Sequence, residues 1–255
     1  MQIKNILHFL LLLVYLSACE QQILPVPIGK DEFQVTPYGT EQSFDIATWN
    51  IEHFPKQGAV TISVLSSIIR KIDLDLIAIQ EIDDESAFYN LRNSLAGYGG
   101  FVSPLPRSSL KMGIIYKQNM ISITRPVQIF TSDSQNFPRP PMLCYVSVRY
   151  PDSRRFNFFL VIVHLKAFSD INSFKRRKAA CLSLKHYMDT YLFFPTEADL
   201  ILLGDFNDDP LDAPQDNIYY IYQRFATIRY ITNKRTGYAN LYWRSRELDR
   251  SYYYP

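Results

Sequence analysis

The chain has 255 residues, 47% hydrophobic and 20% charged, an ordinary globular composition with material enough for one large core, so a single folded domain is expected. Lys+Arg number 27 against 25 Asp+Glu, a formal charge of +2, and loss of a leader containing only Lys4 would leave +1. So small an imbalance excludes any argument for nucleic acid from net charge alone.

Met1–Ala18 reads as a leader: Lys4 gives a short positive start, and Ile6–Leu16 is apolar apart from His8, too short to span a bilayer comfortably. Leu16-Ser17-Ala18-Cys19 follows and resembles the lipobox of bacterial lipoproteins, in which cleavage before the cysteine accompanies its lipidation. This implies an acylated Cys19 that holds the mature protein on a membrane without crossing it, in the bacterial cell envelope, at the outer membrane or cell surface. An uncleaved anchor or a plain secretory signal is the competing reading. Residues 19–42 are rich in Pro, Gly and polar side chains without a sustained period and read as a tether.

The folded domain is expected over residues 43–255. Apolar runs predict strands at Phe44–Ile51, Leu76–Ile79, Gly113–Tyr116, Leu143–Val148, Phe156–Val163 and Leu200–Leu203. Several are apolar on both faces, which requires covering layers on each side. Helical spacing of Val64, Leu65, Ile68, Ile69 and Ile72 predicts a helix over Ala59–Ile72. Phe88, Leu91 and Leu95 predict a second after Asp84, and a third is expected over Ile171–Leu192. Within the third, Lys175-Arg176-Arg177-Lys178 reads as a solvated face, with a phosphate-facing patch as the alternative. Cys144 and Cys181, in a strand-like and a helix-like run, are expected to be separate buried thiols, with a disulfide in an oxidising compartment as the alternative.

Four strand runs end in polar residues at their C-terminal ends: Asn50 and Glu52, Gln80-Glu81, His164, and Asp205 with Asn207. Four such endings imply a shared rim. Period-two alternation predicts Asn50 with Glu52, and Asp205 with Asn207, on common faces. Oxygen donors of this kind suit Mg²⁺, Mn²⁺ or Ca²⁺, whereas zinc would call for more His or Cys. Asp205, Asn207 and Asp209 also match the first positions of a calcium loop, but Pro210 stands where glycine is required, and a simple turn remains the competing reading.

Ala47-Thr48-Trp49-Asn50-Ile51-Glu52, Ile79-Gln80-Glu81-Ile82, Val163-His164-Leu165-Lys166-Ala167 and Gly204-Asp205-Phe206-Asn207-Asp208 stand in the order found in the deoxyribonuclease I-like branch of the endonuclease/exonuclease/phosphatase superfamily. The resemblance covers about Phe44 to Asp249. It implies an α+β fold, a four-layer α/β/β/α sandwich, here lacking the last strand because the chain ends before the family's terminal Ser-Asp-His segment. Periodicity alone supports only a mixed α and β domain.

By the same resemblance Glu81 is the chief metal ligand, with Asn50 and Glu52 beside it, and the cofactor is Mg²⁺, or else Mn²⁺ or Ca²⁺. His164 does acid–base work, Asp205 and Asn207 place water and phosphate, Asp249 partners a final histidine, and Arg139 in Phe137-Pro138-Arg139-Pro140 binds phosphate. His53 and His186 have no motif and are expected to be structural or exposed. Ser108-Ser109-Leu110-Lys111 lacks the glutamate that supports the strand-end histidine in deoxyribonuclease I. The implied function is a metal-dependent phosphodiester hydrolase acting on DNA, RNA or another phosphodiester outside the cytoplasm, with no protein partner. The alternatives are a non-catalytic surface lipoprotein and a phosphatase or phosphodiesterase for lipid or small phosphate esters. With the terminal segment absent, the chain is expected to have little activity and reduced stability.

Overall fold

The structure is a computed structural model that describes residues 35–41, 43–104, 110–193, 199–222, 229–232 and 239–243. The leader, Cys19, most of the tether, Ser108-Ser109 and Asp249 lie outside the described residues. No helix among the described residues is long and apolar enough to cross a membrane.

Strands β1 (Ile46–Phe54), β2 (Leu76–Ile82), β3 (Tyr98–Val102) and β4 (Lys111–Lys117) form one sheet in the order β1-β2-β4-β3. The second sheet contains β5 (Ile121–Ile123), β6 (Val127–Gln128), β7 (Met142–Arg149), β8 (Arg155–His164), β9 (Asp199–Asp205), β10 (Arg229–Thr232) and β11 (Ala239–Trp243). Its order is β10-β11-β9-β8-β7-β5, with β6 on β7. The pairs β1/β2 and β8/β9 are parallel and the others antiparallel.

A parallel pair needs a crossover, and helices supply both. Helix α1 (Ala59–Ile72) joins β1 to β2 and stops at Asp73, whose left-handed backbone (φ 57°) donates its N–H to the Ile69 carbonyl. Helix α2 (Glu85–Ser94) starts at Asp84, whose carboxylate accepts from the Ser86 and Ala87 amides. Helix α3 (Ile171–Tyr187) joins β8 to β9. Asp170 caps it through the Asn172 and Ser173 amides, and a π-helical segment, Met188–Phe193, continues it past the expected end at Leu192.

Alternation along the central strands creates three cores and hence four layers. Leu76 and Ala78 of β2 meet Phe158, Leu160 and Ile162 of β8 and Ile201 and Leu203 of β9 between the sheets. Ile77 and Ile79 face the other way, against Leu65 and Ile69 of α1 and Phe88 and Leu91 of α2. Val161, Val163, Leu200 and Leu202 pack on Ala180, Cys181 and Leu184 of α3. The expected sandwich is therefore present, with β1 paired only to β2 among the described residues. Cys144 and Cys181 are free and buried in different cores, as expected.

Strands β3, β5, β6, β10 and β11 were not expected from the apolar runs. In β3, Gly99 and Gly100 interrupt the apolar pattern, yet a Cβ on Gly100 would stand 2.8 Å from the Ile114 carbonyl oxygen, so close approach across the β3/β4 pair favours glycine there.

Candidate active site

The parallel registers place the C-terminal ends of four strands at one edge, with Asn50 beside Gln80 and His164 beside Asp205. Gly204 (φ 139°) keeps the second pair close, because a Cβ there would stand 2.0 Å from the Val163 carbonyl oxygen. Strict alternation would turn Glu81 toward the helices with Ile77 and Ile79. Two adjacent irregularities prevent this: the β1/β2 register shifts between Asn50 and Phe54, and the β2/β4 register between Ile79 and Ile82. Glu52, His53 and Glu81 all adopt positive φ, at 40°, 53° and 66°. A bulge re-aims a side chain, and left-handed non-glycine residues persist only where their surroundings hold them.

The result is a compact cluster. The Asn50 amide nitrogen Nδ2 donates to Glu81 Oε1 and to Asp205 Oδ2, both at 2.8 Å. His164 Nε2 lies 3.8 Å from that Glu81 oxygen and 3.7 Å from that Asp205 oxygen. Each carboxylate is steadied through its other oxygen, Glu81 Oε2 by the His53 amide at 3.2 Å and Asp205 Oδ1 by the Asn207 amide at 2.8 Å. Asn50 Oδ1 in turn accepts the Glu52 amide at 3.0 Å. One candidate ligand atom each from Glu81, His164 and Asp205 lies within 4.8 Å of the others. Two carboxylate oxygens and an imidazole nitrogen so placed fit a divalent cation.

His164 is 2% exposed. Burial, and then the nearby Arg139 charge, lower its pKa to about 3, so it is neutral at physiological pH. Its Nδ1 is buried without a partner among the described residues. A neutral imidazole is the form that ligates a metal, and the acid–base role expected of His164 does not follow from this environment.

Other assignments change more. Glu52 is turned away by its left-handed backbone: its side chain is 69% exposed and pairs with Lys56 Nζ at 2.7 Å, so the structure does not bring it into the metal cluster. Asn207, also left-handed (φ 51°), sends Nδ2 to the Leu165 carbonyl at 3.0 Å instead of sharing a face with Asp205. Arg139 reaches the site, but its Nε donates to the His164 carbonyl at 3.0 Å and its Nη2 to that of Leu165. Burial lowers the guanidinium pKa, while Asp205 and Glu81 pull it back up. Arg139 thus braces the end of β8, with only part of its fork left for a ligand. The calcium-loop reading fails because Asp209 caps the Leu211 amide at 2.8 Å, making a turn.

Two further residues stand near the site, His53 exposed as expected and Arg177 buried against expectation. His53 stands at the rim, its Nδ1 2.8 Å from Asp83 Oδ2, and Asp83 raises the imidazole pKa. Arg177 is 4% exposed, not on a solvated face and not a phosphate patch. It donates to the carbonyls of Lys166 and Phe168 at 3.2 and 2.7 Å and to Asp208 Oδ1 at 3.0 Å. Its spacing from Phe174, Ala180, Cys181 and Leu184 already assigns it to the apolar face of α3. His186 is exposed on that helix, as expected.

A model of the Endonuclease/Exonuclease/phosphatase family matches residues 47–246. No match is found among curated protein sequences. Among solved structures, D. rerio TDP2 complexed with single-strand DNA product is similar at 15% identity and TM-score 0.54, with 74% of this chain and 68% of that chain covered. The human Nocturnin catalytic domain with bound sulfate anion is similar at 15% identity and TM-score 0.51, with 71% and 73% covered. An endonuclease/exonuclease/phosphatase family protein from Bacteroides thetaiotaomicron is similar at 14% identity and TM-score 0.53, with 78% and 82% covered. At these identities the likeness is one of fold.

Proposed function

The chain belongs to the endonuclease/exonuclease/phosphatase family, and on that premise we propose that it is a metal-dependent phosphodiester hydrolase whose substrate is nucleic acid. The observation that carries the reading is the convergence of Glu81, Asp205 and His164 around Asn50 at the C-terminal rim of both sheets. Glu81, Asp205 and His164 would hold the cation, Mg²⁺ or Mn²⁺ by the oxygen-rich donor set. Bound there, such a cation supplies Lewis-acid polarisation of the phosphate oxygens.

The remaining work belongs to the chain. Asp205 would orient the attacking water, its carboxylate held for that role by the Asn207 amide on Oδ1 and the Asn50 side chain on Oδ2. Asn50 keeps the two carboxylates in register, and Arg139 and Asn207 fix the Leu165 carbonyl so that His164 cannot drift. In-line attack of water forms the new P–O bond as the ester P–O bond breaks, the water giving up a proton and the departing oxygen taking one up, and prior positioning lowers that barrier.

TDP2 crystallised with a single-strand DNA product supports nucleic acid as the substrate. Lipidation of Cys19 would place the enzyme on the envelope surface, where it would degrade DNA or RNA outside the cytoplasm. The test is turnover of DNA, RNA and a small phosphodiester with Mg²⁺ or Mn²⁺, before and after chelation. Cleavage that stops with chelator and returns with metal is expected, and undiminished cleavage in chelator contradicts the reading. For the anchor, mass spectrometry of membrane-derived protein should find an acylated N-terminal Cys19, and an intact Met1 terminus would contradict it.

A further inference from the structure

The turn that leaves β8 after His164 presents an aromatic ring to solvent. Phe168 is 72% exposed and has φ 82°, a left-handed conformation rare for a bulky residue. Yet the turn is fastened at three carbonyls, those of Leu165, Lys166 and Phe168. Arg139 and Asn207 hold Leu165, and the buried Arg177 holds both Lys166 and Phe168 while bonded to Asp208 in the turn after β9.

Lys166 lies with Nζ 4.0 Å from the ring centroid. One face of the ring thus has a cation over it, and the exposure of the residue leaves the other open. The neighbouring turn has the same character: Leu211 is 79% exposed, while Asn217 holds the carbonyls of Pro210 and Asp212 at 2.9 and 3.2 Å. A single exposed apolar side chain is ordinary. A strained, rigidly fastened ring with a cation beside it, four residues from the metal cluster, has the elements of a stacking platform.

Resting on the nuclease reading above, we propose that Phe168 and Lys166 form a subsite for single-stranded nucleic acid flanking the scissile phosphodiester. A nucleobase stacks on the open face of Phe168, and the Lys166 ammonium meets the adjoining phosphate. Stacking on an aromatic side chain is tolerant of base identity because every base has a π face, so this subsite favours unpaired strands over duplex without selecting a sequence. The weak overall charge fits this division, in which contact at the rim replaces a broad basic surface.

The test is fluorescence anisotropy of a labelled single-stranded oligonucleotide with the full chain in Ca²⁺, comparing Phe168→Ala, Phe168→Trp, Lys166→Ala and, as control, Leu182→Ala on the exposed side of α3. Phe168→Ala should weaken binding roughly tenfold, Phe168→Trp should retain it, and Lys166→Ala should weaken it and flatten its salt dependence. Thermal midpoints should match wild type, because the ring is exposed. Equal affinity of wild type and Phe168→Ala would overturn the subsite, as would an equal loss in Leu182→Ala. Loss of binding to anionic lipid vesicles with oligonucleotide binding unchanged would also overturn it, assigning Phe168 to a membrane. The binding assay requires no turnover. Oligonucleotide binding that depends on Phe168 in a protein that cleaves nothing leaves the subsite standing and removes the hydrolase reading, and cleavage without that dependence does the reverse.

Discussion

Asn50 is the pivot of the cluster because it gives one N–H to each of two carboxylates that would otherwise repel at close range. Hydrogen bonds to charged groups contribute roughly 1.5–3 kcal/mol, so Asn50→Asp, which replaces two donors by a third negative charge, should destabilise the protein by at least that much in chelator. Millimolar Mg²⁺ should recover most of the loss in thermal midpoint, and an Asn50→Asp midpoint indifferent to Mg²⁺ would contradict the arrangement. Glu81→Ala and Asp205→Ala should each lower turnover on the order of a hundredfold or more, since they remove groups that act on the reacting phosphate. Glu52→Ala should change it by less than about threefold, because that carboxylate faces Lys56 and solvent. A hundredfold loss in Glu52→Ala would restore it to the site. At this scale the polar strand endings were readable as a set. Which of them converge was not, because period-two alternation holds only in regular strand, and Glu52, His53, Glu81 and Asn207 all leave it through positive φ.

At the scale of elements, Arg177 ties α3 to the turns after β8 and β9. Its partner Asp208 is also buried, and burial raises that carboxyl's pKa even with the guanidinium beside it. Arg177→Met leaves Asp208 uncompensated and should destabilise by about 3–5 kcal/mol in chemical denaturation. A cost below about 1 kcal/mol would mean that the strut carries little. A second tie joins the end of β4 to the entry of β2, where Lys117 Nζ lies 2.8 Å from Asp73 and 3.1 Å from Asp75. Burial pulls the Lys117 pKa down, but the two carboxylates outweigh it and the net shift is upward. Asp75 also shifts upward, because its own burial outweighs Lys117, so the gain from the pair resides on the lysine. A lysine raised in the folded state stabilises fully below its unfolded pKa, about 10.4, and loses that contribution as pH rises through the folded value. Lys117→Met should therefore be destabilised at pH 8, with the gap to wild type closing above about pH 10.5. The strands legible in the sequence were those covered on both faces, such as β8 and β9, with their apolar runs Phe158–Val163 and Leu200–Leu203. The glycines of β3 and the brevity of β5 and β6 concealed those strands.

For the whole molecule, two parallel pairs each closed by a helix send four chain ends to one edge, and the packing of one sheet on the other makes a single site of them. Apolar runs on both faces require cover on both sides, so a mixed α and β domain with covered sheets was legible in the sequence, whereas the four-layer sandwich rested on the family resemblance. The proposed reading is that this edge binds a divalent cation through Glu81, Asp205 and His164 and uses it to cleave phosphodiesters. Its most direct test is a calorimetric Mn²⁺ titration of wild type and Glu81→Ala, followed in the same samples by cleavage of a single-stranded oligonucleotide. Wild type should bind metal and Glu81→Ala far more weakly, and the cleavage wild type shows, however small, should fall by about a hundredfold or more in Glu81→Ala. Equal metal binding and equal cleavage by the two proteins would contradict a metal site at Glu81.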